Sequence, residues 1–151
     1  MACAPLLQEL PVIGIVIATH GAVGTALLET AVELLGERPA GLASVEITEH
    51  MDRSAAWDAL VAATKVADTG AGVLVLVDMF GGTPATVAMA LLAEQEAEVI
   101  TGVNLAMVLR SLLKRSEHSL TSLAEDVIGY GRRNVTSSAQ WLSPRSSELD
   151  G

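Results

Sequence analysis

The chain has 151 residues, half of them hydrophobic and only 3% aromatic, with a formal net charge of −9 at pH 7. That length suits one domain with a sizeable core, and the acidic balance disfavours nucleic acid and anionic lipid while favouring a partner with a basic face. No apolar run reaches the ~18 residues that span a bilayer, the start MACAPLLQELP lacks the basic and apolar regions of a signal peptide, and the single Cys3 excludes an internal disulfide or a cysteine metal site, so the sequence reads as a soluble cytoplasmic protein.

Residues 1–10 read as a short lead-in. Val12, Ile13, Ile15, Val16 and Ile17 form an apolar, mostly β-branched run, which predicts a strand over about 12–17 buried on both faces. The run stops at Ala18-Thr19-His20-Gly21, and a periodic apolar pattern begins at Leu27. His20 is therefore expected in the turn between a first parallel strand and its helix. Open α/β sheets hold ligands and chemistry in that crevice, although position alone equally allows a histidine that only caps the turn. The first helix is predicted from about Ala22 to Leu35, with Leu27, Leu28, Ala31, Leu34 and Leu35 as its apolar stripe and Gly36 as its stop. Gly21 and Gly24 are expected to bring helix and strand close and to leave backbone N–H groups open around His20.

Leu42–Ile47 reads as a second strand, less uniformly apolar and so placed at a sheet edge. Thr48–Arg53 is a polar loop. Ser54 is a candidate cap for a second helix over about 55–68, with Ala56, Leu60, Ala63 and Ala67 inward. Val73–Val77 (VLVLV) is the other strong strand, and it breaks at Asp78-Met79-Phe80-Gly81-Gly82-Thr83-Pro84. An apolar helix over Ala85–Leu92, an acidic loop over Glu94–Glu98 and a short strand at Val99–Thr101 follow. A helix over about 105–115 and another over Leu120–Arg133, with candidate breaks at Gly129 and Gly131, complete the pattern. Residues 136–151 read as a tail, either flexible or exchanged with a partner. Strands alternating with helices predict an α/β fold over residues 11–135, a three-layer α/β/α domain with a mostly parallel four-stranded central sheet and helices on both faces.

If the first and third strands are neighbours, His20 and Asp78 rise from one sheet edge. A carboxylate on one imidazole nitrogen fixes the tautomer and frees the other nitrogen as a nucleophile; the plainer reading of Asp78 is a turn or helix-cap residue. Thr83 fits a helix N-cap and Pro84 a first helical position. Gly81 and Gly82 let backbone N–H groups converge, which makes an anion pocket with phosphate as its natural guest. No Walker lysine accompanies it. His50 and His118 lie in polar stretches and read as solvated, and no metal spacing or cofactor motif is present. Met79 and Phe80 either form an exposed docking rim or fold inward.

Ile13–Gly21 (IGIVIATHG), Val75–Pro84 (VLVDMFGGTP) and Val99–Met107 (VITGVNLAM) resemble, in order and spacing, three signature stretches of one family. It is the IIA domain of the mannose family of the bacterial phosphoenolpyruvate-dependent sugar phosphotransferase system, and the likeness covers about residues 12–130. The resemblance implies a usually dimeric α/β domain that takes a phosphoryl group from the phosphocarrier HPr onto a histidine. It then passes the group to a IIB domain, in indirect association with a membrane permease. Carried over by position, His20 is the phosphorylated histidine, Asp78 its hydrogen-bonding partner, and Thr83 the hydroxyl residue that contacts the phosphoryl group. Gly21, Met79, Gly81 and Gly82 complete the phosphoryl-binding stretches. Met79 departs from members with a hydroxyl residue after the aspartate, so backbone N–H groups would have to serve. Two other roles fit the same residues: a regulatory module whose phosphorylation state a partner reads, and the phosphoryl-donor subunit of a dihydroxyacetone kinase. A histidine phosphatase is disfavoured, because Thr19 stands where those enzymes carry the arginine of an Arg-His-Gly turn.

Overall fold

A computed structural model describes residues 10–142. The elements are β1 (Gly14–His20), α1 (Val23–Leu35), β2 (Leu42–Ile47), α2 (Arg53–Ala67), β3 (Val73–Val77), α3 (Thr83–Leu91), β4 (Ala97–Thr101), α4 (Leu105–Lys114), α5 (Leu120–Arg133) and α6 (Ser138–Leu142). All neighbouring strands are parallel, in the order β2-β1-β3-β4. The predicted three-layer α/β/α class with a four-stranded sheet is the one observed, and β2 is an edge strand as its mixed composition requires.

The two central strands explain the layers. Along β1, Ile15 and Ile17 join one core with Leu74 and Leu76 of β3, while Val16 and Ala18 join the other with Val73, Val75 and Val77. Alternation along a strand sends successive side chains to opposite faces, so apolar residues at every position demand cover on both sides. On the first face Leu28 and Ala31 of α1, Val108 of α4 and Leu123 and Val127 of α5 supply it. On the second, Ala56 and Leu60 of α2 and Val87, Ala88 and Leu91 of α3 do. From β1 the chain moves outward to β2 and then crosses to β3 on the other side of β1. The two connections diverge there, and the crevice between the carboxyl ends of β1 and β3 is the switch point of the sheet.

Several local expectations change. β1 is shifted toward its carboxyl end, so His20 is the last strand residue, paired opposite Ile47 of β2, and not a turn residue. Asp52, not Ser54, caps α2, its carboxylate accepting from Ala55 N–H at 2.8 Å; a residue at the cap must stand outside the helix, and Ser54 is already inside it. Ala63 packs against the core as expected but is only partly buried, and Thr64 is buried beside it, its hydroxyl donating to the Val61 carbonyl. Gly82 occupies the cap position of α3, and Thr83 is the first helical residue. The acidic stretch at 94–98 is loop only in part, because parallel pairing with β3 draws Ala97 and Glu98 into β4. α5 runs unbroken through Gly129 and Gly131; Gly131 is buried against Met107 of α4, where a Cβ would meet the Met107 side chain at 2.5 Å. Of the predicted tail, residues 138–142 form an exposed short helix. Residues 136 and 137 are exposed and irregular, and residues 143–151 of the tail and 1–9 of the lead-in lie outside the described residues.

Candidate functional site

β1 carries His20 to the switch point, and Thr19 locks it there. The Thr19 side chain is fully buried. Its hydroxyl accepts from Gly24 N–H at 2.7 Å and donates to the Gly21 carbonyl at 3.4 Å. Gly21 N–H in turn donates to the Ile47 carbonyl of β2 at 3.0 Å. The N–H groups of Gly21 and Gly24 are therefore both engaged. They hold the turn rigid and offer nothing to a ligand.

Asp78 follows the last residue of β3, and the pairing of β1 with β3 sets it beside His20. Its Oδ2 accepts from the backbone N–H of His20 at 2.9 Å and lies 2.8 Å from His20 Nδ1. Its Oδ1 accepts from Met79 N–H at 2.9 Å. Partial burial raises the pKa of this carboxyl, but the bonds from His20 backbone and ring and from Met79 N–H outweigh it, and the net shift is below the ordinary aspartate value. An ionised carboxylate only accepts, so Nδ1 carries a proton, and in the neutral imidazole Nε2 is the nitrogen with the lone pair. Met79 N–H is thereby spent on Asp78 and the Met79 side chain is exposed, as is that of Phe80. The two apolar side chains form a rim and do not fold inward.

The free nitrogen faces the loop before α3. A Cβ placed on Gly82 would lie 2.6 Å from His20 Cε1 and 3.0 Å from Nε2. The backbone of Gly82 is extended, at φ −87° and ψ 173°, so close approach to the ring, not conformation, calls for glycine. The N–H groups of Gly81, Gly82 and Thr83 have no bonded partner among the described residues. They lie at the positive end of α3, where an anion is favoured. Thr83 makes no capping bond, and its side chain borders the cleft that holds His20.

Of the seven residues singled out from the sequence, His20, Asp78, Gly81, Gly82 and Thr83 thus converge, and Gly21 and Met79 are present with their N–H groups already used. Sequence reasoning missed Thr19, whose signal was a polar residue at the end of an apolar strand. It also missed the wall that the β2–α2 loop supplies. Thr48, Glu49, His50 and Met51 share the cleft with His20; nothing local reveals that, because it follows from β2 lying next to β1. His50 is exposed as expected, and His118 sits at the start of α5, its Nδ1 3.2 Å from Ser122 Oγ.

Residues 14–128 match the EIIA-man family, described as the PTS system fructose IIA component. The chain is similar to the PTS system mannose-specific EIIAB component of Escherichia coli K12, with 34% identity over 125 residues, 82% of this chain and 38% of the relative. The chain thus spans well under half the length of that curated relative. Among solved structures it resembles the mannose/sorbose specific IIA subunit of the phosphotransferase system from Enterococcus faecalis. There the TM-score is 0.75 with 28% identity, over 83% of this chain and 93% of the other. It also resembles the phosphotransferase system component EIIA from Streptococcus agalactiae, at a TM-score of 0.76 and 25% identity, over 85% and 98% of the two chains.

Proposed function

The chain belongs to the EIIA-man family of PTS IIA components, and on that premise we propose that it is a phosphocarrier whose His20 takes a phosphoryl group from an HPr-like donor and gives it to a IIB partner. The observation that carries this reading is the 2.8 Å contact of Asp78 with His20 Nδ1, with Nε2 turned toward unbonded N–H groups. The Nε2 lone pair attacks phosphorus, a P–N bond forms, and the bond to the donor breaks with its electron pair returning to the donor. The proton on Nδ1 stays in place. The ring becomes cationic as the new bond forms, and the Asp78 carboxylate stabilises that cation. Gly81, Gly82 and Thr83 would receive the phosphoryl oxygens through backbone N–H groups and the Thr83 hydroxyl. Transfer onward to IIB is the same displacement in reverse.

In this reading the carrier unit is residues 11–135, and it works in the cytoplasm. Among the described residues no helix is long and apolar enough to cross a membrane. The exposed Met79 and Phe80 beside His20 give partners an apolar surface, and the net charge of −9 favours partners with basic faces.

The experiment is intact mass spectrometry after incubation with phosphoenolpyruvate, enzyme I and HPr. Wild type should gain one acid-labile phosphate, and His20→Ala should fold and gain none. Asp78→Asn should be phosphorylated about 10–100-fold more slowly, the usual cost of removing the partner that orients a functional histidine. Equal labelling of wild type and His20→Ala would refute the assignment.

A further inference from the structure

Four βα connections meet at the sheet edge that carries His20. With the ends of their strands they hold three carboxylates, Glu49, Asp52 and Asp78, and two histidines, His20 and His50. A phosphoryl group on Nε2 would add about 1.5 to 2 negative charges to this acidic rim. The connections and the first turns of the helices after them contain one permanent cation among the described residues, Arg53, at the start of α2. Arg132 and Arg133 belong to the last turn of α5, and Arg132 lies against the β4 side.

We infer that Arg53 is the counter-charge of the phosphoryl group on His20, its guanidinium binding the phosphoryl oxygens from the α2 side of the cleft; this rests on the phosphocarrier reading above. Arg53 borders a hollow with Gly81, Gly82, Thr83 and Thr86. Gly82 is also the residue pressed against His20 Nε2, and Thr83 also borders the His20 cleft. The same loop therefore lies against the free nitrogen and borders the hollow that Arg53 lines. Arg53 has no ion pair or side-chain hydrogen bond among the described residues. The adjacent Asp52 is occupied in capping Ala55 N–H. A planar guanidinium fork suits two oxygens of one phosphoryl group, which neutral N–H donors alone leave uncompensated in charge. It would also offset the repulsion from Glu49, which shares the His20 cleft.

The test uses full-length wild type, Arg53→Met and Arg53→Lys. Each is loaded by HPr and, separately, by potassium phosphoramidate, whose P–N bond breaks with loss of ammonia as the phosphoryl group moves to a histidine nitrogen. The 31P chemical shift is followed against pH, with His20→Ala as the control for the labelled site. Arg53→Met should gain phosphate from HPr about tenfold more slowly. Its phosphoryl ionisation midpoint should rise by about one unit, because the dianion has lost its cation. Arg53→Lys should recover most of both. A wild-type midpoint in Arg53→Met would overturn the assignment, and so would a lowered melting temperature with no change in midpoint. If HPr loads nothing while phosphoramidate loads His20, the carrier reading fails and the midpoint still decides the role of Arg53.

Discussion

At His20 a single carboxylate decides which ring nitrogen is available, and both oxygens of that carboxylate are anchored by N–H donors. The folded pKa of Asp78 lies below its ordinary value, so ionised Asp78 favours the folded state above the unfolded pKa of about 3.9. That contribution is lost as pH falls through the lower, folded value. Thermal melts from neutral pH into acid should show wild type more stable than Asp78→Asn at pH 7, with the gap closing below about pH 4. A gap that does not change with pH would contradict the ionic assignment. Gly82 answers to the same ring. Gly82→Ala keeps an allowed backbone but places its Cβ 2.6 Å from His20 Cε1, so the ring must turn aside. Phosphoryl transfer should fall about 10²-fold while the melting temperature barely moves; retained transfer would mean that the ring has another productive position.

Among the first five helices, side-chain capping is uneven. Asp52, Asn104 and Ser119 cap α2, α4 and α5 through their side chains. α1 and α3, the helices that begin next to His20, have no side-chain cap. An uncapped helix start leaves N–H donors unsatisfied, which at α3 is what an anion site needs. At α1 the vacancy is met partly by Thr19, a residue of the preceding strand. Thr19→Val keeps the shape and removes the acceptor of a buried N–H. It should cost about 1–3 kcal/mol in a denaturant titration, and Thr19→Ser should restore most of it. Equal stability of all three would mean that the strand–turn hydrogen bond is dispensable. The capping pattern was only partly legible: Gly81-Gly82-Thr83-Pro84 announces a helix start, but the cap position one residue earlier than Thr83 depends on how the loop meets His20.

Across the whole molecule, site and scaffold lie at opposite ends of the sheet. At the end remote from His20, Arg115 is buried at 7% exposure. It donates to the carbonyls of Ala40 at 2.7 Å, Ile13 at 3.3 Å and Gly41 at 3.4 Å. Burial lowers its pKa, and these carbonyls, which precede β1 and β2, take up its donors. Arg115 thus ties the end of α4 to the amino-terminal edge of the sheet. Arg115→Met should cost about 1–3 kcal/mol of stability by leaving buried carbonyls short of donors, with phosphoryl transfer unchanged at temperatures where the fold holds. A transfer defect in a fully folded variant would show that the two ends are coupled.

The sequence by itself determined the alternation of strands and helices, the double-sided burial of Val73–Val77 and most of β1, and the identity of His20, Asp78 and the glycine loop. These follow from period, β-branching and turn chemistry, which act between residues close in the chain. Only the tertiary structure decided that β1 lies between β2 and β3. That order brings Asp78 to Nδ1, turns Ile47 into the acceptor that consumes Gly21 N–H, and gathers the β2–α2 loop and Arg53 around the glycine loop. Strand order is set by how the crossovers pack their helices on the two faces of the sheet. The contacts it creates at the site, such as the 58-residue separation of His20 and Asp78, leave no mark in the local pattern.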